Sequence, residues 1–167
     1  MPRLLFAVAF VLLAAAPLAD SGRATMAFEF TTADKSEAVR LGDEADSAAS
    51  VAYRQRPDGT SEIHVSVHTT AEADGIAYRG TADLSAVLSS ATLTAGEADA
   101  NARQSHATLA TSGPITQTQR RIRATEARLR IDRVTEDEVH GSFWIHADRE
   151  TEARVSGQFV APRPVDL

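Results

Sequence analysis

Apolar and polar side chains alternate with a period of two along several stretches of this chain, the pattern of strands with one buried face. The clearest stretch runs from Ala49 to His68, where Val51 and Tyr53, then Ile63, Val65 and Val67, alternate with polar residues. Between them, Arg56-Pro57-Asp58-Gly59-Thr60 carries turn chemistry. Proline presets the first turn position, aspartate suits the second, and glycine accepts the left-handed one. A loop over Pro57–Gly59 predicts Tyr53 opposite Ile63, Val51 opposite Val65 and Ala49 opposite Val67 on one face. Arg54 then faces Glu62 on the other, an opposite-charge cross-strand pair.

The C-terminal third repeats the pattern. Val139, Phe143 and Ile145 share a face with Gly141 and Ala147; Ala153, Val155 and Phe159 share one with Gly157. Pairing Ala147 with Ala153 sets Ile145 against Val155, Phe143 against Gly157 and Gly141 against Phe159, so each glycine lies under a phenyl ring that covers its backbone. Ala127, Leu129 and Ile131 alternate with Arg128, Arg130 and Asp132. A turn near Thr135–Asp137 would put Leu129 opposite Phe143 and Ala127 opposite Ile145. The two G-x-F strands, Gly141-Ser142-Phe143 and Gly157-Gln158-Phe159, resemble those that end many small exported bacterial β proteins, a resemblance that implies structure and not activity.

Elsewhere the pattern weakens. Thr116 to Val134 is rich in helix formers, and Ala124, Ala127, Ile131 and Val134 also fit helical spacing; the cleaner alternation favours strand over Glu126–Arg133 and leaves 116–125 open. Ile76 and Tyr78 suggest a strand before Gly80, and Ser85–Thr94 and Ala107–Thr111 have β composition. Asp83 could instead cap a short helix carrying Leu84, Val87, Leu88 and Ala91. Asp34–Ser47 reads as a short helix or a solvated loop. The fold expected is all-β and mainly antiparallel, a single-domain β-sandwich or small β-barrel with at most one short helix.

The first residues break this pattern. Arg3 is followed by an unbroken apolar run, Leu4 to Ala16, and the chain turns polar at Asp20. This is the layout of a secretory signal peptide, too short to span a bilayer comfortably at ~20 residues. The division expected is a signal peptide over 1–19, a flexible segment over 20–27, one β domain over 28–160 and a tail over 161–167. Such a chain would be periplasmic or extracellular, with no stable membrane anchor after cleavage.

Composition narrows the chemistry. The chain has no cysteine, which excludes disulfides, thiol nucleophiles and thiolate metal sites. Its net charge of −6 argues against nucleic acid as a partner. With aromatics at 5%, the core is built from smaller side chains. The G-x-S-x-G elbow, phosphate-binding glycine loops, dinucleotide fingerprints and H-E-x-x-H are absent, so no cofactor is expected. Asp43-Glu44-Ala45-Asp46 is at most a loose calcium loop.

Histidine and tryptophan supply the candidate site. His64 and His68 share one strand face, and His140, Ser142, Trp144 and His146 share another. Two histidines four apart on a strand lie about 13 Å apart, at ~3.3 Å per residue, so one strand cannot chelate a metal. A site would need His64 or His68 beside His140 or His146. Trp144, with Arg128 as its expected cross-strand neighbour and stacking partner, forms with His140 and His146 a candidate ligand-binding face for a sugar ring or an acidic ligand. The expected role is a non-catalytic envelope module that binds a protein, glycan or small molecule. Alternatives are a barrel holding an apolar ligand among Ile63, Val65, Val67, Leu129, Phe143 and Phe159, and a hydrolase using acids and a histidine.

Overall fold

The structure, a computed structural model, describes residues 22–42, 47–90, 92–148 and 152–164. The expected signal peptide and the acidic Asp43–Asp46 stretch lie outside the described residues. Eleven strands form two antiparallel sheets, with no helix among the described residues. One sheet has the order β2-β1-β11-β10-β9-β6, from β1 (Arg23–Thr31), β2 (Ser36–Leu41), β6 (Gly96–Asp99), β9 (Glu126–Val134), β10 (Glu138–Ala147) and β11 (Glu152–Pro162). The other has the order β3-β4-β5-β7-β8, from β3 (Ala48–Gln55), β4 (Ser61–Ala73), β5 (Ile76–Leu88), β7 (His106–Ser112) and β8 (Gln117–Arg123). The sheets pack face to face as a sandwich and not as a closed barrel. One bridge, Ala86 to Ala100, links them at a corner.

The expected hairpin registers hold residue for residue. Tyr53 pairs with Ile63, Val51 with Val65 and Ala49 with Val67. Gly59 takes a positive φ of 81° in the turn. The Thr60 hydroxyl and backbone N–H both donate to Asp58 Oδ1, at 2.5 and 3.0 Å, and hold that carboxyl below its ordinary pKa. The charged carboxylate therefore supports the turn at neutral pH, and its contribution disappears as acid protonates it. Arg54 does lie opposite Glu62, but the guanidinium that reaches this carboxylate is that of Arg56, at 3.3 Å.

In the C-terminal meander, Phe143 pairs with Gly157, Gly141 with Phe159, and Leu129 with Phe143. A Cβ at Gly157 would stand 2.5 Å from Phe143 Cζ and 2.5 Å from the Thr25 carbonyl oxygen; one at Gly141 would stand 2.5 Å from Phe159 Cζ. Both rings therefore cover bare backbone. Ile63, Val65, Val67, Leu129, Phe143 and Phe159 are at most 4% exposed and belong to one packed core. These six fill the space that the apolar-ligand barrel required to be open.

Several weaker expectations give way. The supposed flexible segment 20–27 contains the start of β1, because Ala24, Met26, Phe28 and Phe30 alternate inward against β11. The supposed tail contains the end of β11: Ala161 is fully buried opposite Val139, and Pro162 is tolerated as the strand's last residue. Ser36–Leu41, inside the supposed helix or loop, is β2. The Asp83-capped helix is replaced by β5, which runs straight through Gly80. Ala82, Leu84, Ala86 and Leu88 point into the core while Val87 is left outside at 45% exposure. The open stretch 116–125 contains β8.

Two stability measurements test this core. Gly157→Ala is expected to cost about 1–3 kcal/mol by overpacking in urea unfolding. Adding Phe143→Leu should not restore it, because the Thr25 carbonyl remains in the way. Thr69 is completely buried, and its Oγ1 has no hydrogen-bond partner among the described residues. Thr69→Val is therefore expected to raise stability by about 1 kcal/mol in the same assay, since an unsatisfied buried hydroxyl is itself costly.

Candidate functional site

Alternation along β10 sends Val139, Gly141, Phe143, Ile145 and Ala147 inward and leaves His140, Ser142, Trp144 and His146 on the outer face of the larger sheet. That face is open: Trp144 and its three polar neighbours are each only partly buried. Trp144 is flanked by Arg128 on β9 and Ser156 on β11, as the register expectation required.

The stacking partner differs from the expectation. The indole packs on the His146 imidazole, with ring centroids 5.5 Å apart and planes 28° from parallel; Arg128 stands beside it in the register. A guanidinium does lie over a ring elsewhere, where Arg120 sits 4.8 Å from the Phe30 centroid. His146 is only two residues from Trp144 on the same face, so strand geometry brings the two rings together directly. His146 Nε2 lies 3.4 Å from Glu152 Oε1 but is not aligned to hydrogen-bond with it. Glu152 in turn accepts a 2.7 Å hydrogen bond from Arg154. The imidazole is thus held chiefly by ring packing.

Beside the indole lies a depression of about 390 Å³, walled by Glu97, Arg128, Arg130, Ser142 and Trp144. Arg130 bonds Asp132 at 2.7 Å through Nε and approaches Glu97 at 3.9 Å. Two arginines, one hydroxyl and one carboxylate therefore ring an aromatic wall. Arg130 stands near Trp144 as the register leads one to expect, two residues from Arg128 on the same face. Glu97 was missed in the sequence, since it sits on a four-residue strand with no clear periodicity.

His140 stands apart. It is four residues from Trp144, and it belongs to a cluster at the end of the strand. Its Nε2 lies 3.0 Å from Glu138 Oε2 and 3.1 Å from Arg133 Nη2. One nitrogen cannot satisfy both at once: it donates to the carboxylate when protonated and accepts from the guanidinium when not. A bulge between His140 and Gly141 brings Arg133 opposite His140. Of the four candidate residues, then, Trp144, His146 and Arg128 come together and His140 does not join them.

His64 and His68 lie on the outer face of the other sheet, with the whole sandwich between them and His140 or His146. The pairing that a metal site required is therefore not made. His64 instead approaches Asp83 Oδ1 at 3.8 Å, while His106, unremarked in the sequence, approaches Oδ2 at 3.5 Å. The two imidazoles thus address different oxygens of one carboxylate. No group of three or more potential ligands is placed to hold a metal ion among the described residues.

Fold and face together define an all-β, two-sheet sandwich that presents an aromatic wall and arginines on one outer face. Comparison of the chain with protein-family models, with curated proteins and with solved structures finds no match in any of the three.

Trp144 is the chain's only tryptophan, so its emission reports on this face alone. His146→Ala is expected to shift that emission to longer wavelength, because the indole loses the ring that shields it from water. An unchanged spectrum would mean that the two rings do not stack in solution.

Proposed function

We propose that this chain is an exported, non-catalytic binding module of the bacterial envelope, periplasmic or extracellular, which receives an acidic sugar ring in the depression beside Trp144. The observation that carries this reading is the combination of an immobilised indole with two arginines around one open hollow. A sugar ring offers an apolar face that packs on an indole, and its hydroxyls match Ser142 and Glu97. A carboxylate on that ring matches Arg128 and Arg130, for which a planar guanidinium fork is the preferred partner. The leader-like first 19 residues support the compartment.

The arrangement explains why the aromatic sits on the outer face although aromatics are scarce. An indole placed only for stability would be more useful in the core, where Phe28 is fully buried. The ionic groups on this face also have other roles. Arg130 is tied to Asp132, and Glu152 is shared by Arg154 and His146. A ligand carboxylate must therefore compete with existing pairs for Arg130, which predicts modest affinity and a strong dependence on salt.

Titration with an oligogalacturonate, followed by Trp144 emission, tests the reading. A saturable change is expected, about tenfold weaker for the neutral sugar of the same length. Trp144→Ala, followed by calorimetry, and Arg128→Ala should each weaken binding about tenfold or more, equivalent to ~1.4 kcal/mol, with thermal unfolding unchanged. Indifference to the acidic oligosaccharide, or equal binding by both variants, would remove this assignment.

A further inference from the structure

A large cleft lies away from Trp144, along the edge of the smaller sheet. It measures about 910 Å³, and its walls include Arg120, Arg121, Ile122 and Arg123 from β8. Side chains of a strand alternate between faces, so four consecutive residues can line one cleft only if the cleft runs along the strand's edge. β8 is the last strand of its sheet; it pairs with β7 on one side, and among the described residues no strand pairs with the other. Its exposed row of backbone donors and acceptors therefore borders an open groove.

The facing wall comes from the larger sheet. Phe30, Ala147 and Ala153 form an apolar floor with Ile122, each about 4–6% exposed. Lys35 and Glu37 stand at the rim. Arg120 is on the inward side of β8, opposite buried Leu109. Its guanidinium lies 4.8 Å from the Phe30 centroid and 3.2 Å from Glu37, which braces the mouth of the groove. Arg121 and Arg123 alternate with it and face outward.

Free sheet edges invite strand addition, and proteins usually blunt them with charge. The other edges here have less to offer. β6 is four residues long, β2 mixes Glu37 with Arg40, and β3 carries one charged residue, Arg54. β8 is seven residues long and carries three arginines and no acid. Two copies meeting through β8 would set arginine against arginine, which disfavours self-association. The same arginines complement an acidic strand.

We infer that the free edge of β8 is a β-augmentation site for an extended acidic peptide from another protein. The backbone of the peptide would pair with β8. Its acidic side chains would lie on the outward side beside Arg121 and Arg123, and its alternate apolar side chains would enter the groove over Ile122 and Phe30. Main-chain bonds supply the affinity of such a complex, and the alternate side chains supply its selectivity. This site does not depend on the reading of the Trp144 face, which lies on the opposite sheet.

The test uses a fluorescent nine-residue peptide alternating glutamate and valine, with its lysine–valine counterpart, and anisotropy as the readout. The acidic peptide should bind at least tenfold tighter, and more weakly as salt rises. Two N-methylated versions, one blocked along each edge, discriminate the mechanism on the unaltered protein. One should lose binding and the other retain it. Arg121→Glu combined with Arg123→Glu should reverse the preference in favour of the lysine peptide, with the far-ultraviolet circular dichroism and Trp144 emission unchanged. Failure of the acidic peptide to bind, or equal binding by both N-methylated versions, would overturn the proposal. So would a preference that survives the charge reversal. Equal displacement of the acidic peptide and of both N-methylated versions by polyphosphate would mean a simple anion site and would also overturn it.

Discussion

The contact on which this architecture most depends is the reciprocal packing of two phenylalanines on two glycines between β10 and β11. Phe143 lies on Gly157 and Phe159 on Gly141, with ring carbons too close to the glycine backbone for any Cβ to fit. The arrangement fixes register twice over. Sliding β11 by one residue would send Val155 and Phe159 to the outer face; sliding it by two would put each ring against a side chain. With so few aromatics available, these rings supply a large share of the buried area in the larger sheet. Met26, Phe28 and Phe30 join them from β1, and the rest of the core is filled by Ala, Val, Ile and Leu on both sheets. A sandwich built of such small side chains needs its sheets to approach closely, and glycine at the crossing of the rings permits that approach. Gly80 plays a similar part for the other sheet, where a Cβ would collide with Leu41 and Phe28.

The elements legible in the sequence were those in which large apolar residues alternate around a recognisable turn. The Ala49–His68 hairpin and the meander from Glu126 onward meet both conditions, and their registers follow from face-matching alone. The illegible elements fail one or both. β5 presents Ala82, Leu84, Ala86 and Leu88 inward, but alanine and leucine also suit a helix, so the period stayed ambiguous until the neighbours β4 and β7 fixed it. β8 buries a single side chain, Ile122, and offers almost no pattern. β2 has one buried residue, Leu41, and its strand character comes from pairing with β1. These are tertiary decisions, and no local propensity encodes them.

The candidate site divides along the same line. Arg128 beside Trp144 was readable because it follows from register, and so in principle was the His146 stack, two residues along a strand. The involvement of Glu97 was not, since it depends on β6, whose sequence carries little periodicity. The separation of His64 from His140 depends on which sheet each strand joins, and strand order between sheets cannot be inferred from alternation. Asp83 and His106 illustrate the same point. They are 23 positions apart in the chain and become cross-strand neighbours only because β5 pairs with β7.

The two surfaces argued for function follow from how the sandwich treats its edges and faces. Closing a barrel would have paired β8 and covered its backbone; two open sheets leave edges that must be protected or used. The chain is acidic as a whole, yet β8 is exclusively basic among its charged residues. Edge protection alone would be met by charge of either sign, and an acidic strand would be the more probable product of such a composition. Local reversal of the overall sign at a free edge, beside an apolar groove, therefore carries information that net charge conceals. The outer face of the larger sheet shows a different economy: there the arginines are interleaved with acids, and the distinguishing feature is the indole. On these proposals one surface would select by backbone pairing and charge, the other by ring stacking and charge, and the packed core keeps both in fixed relation.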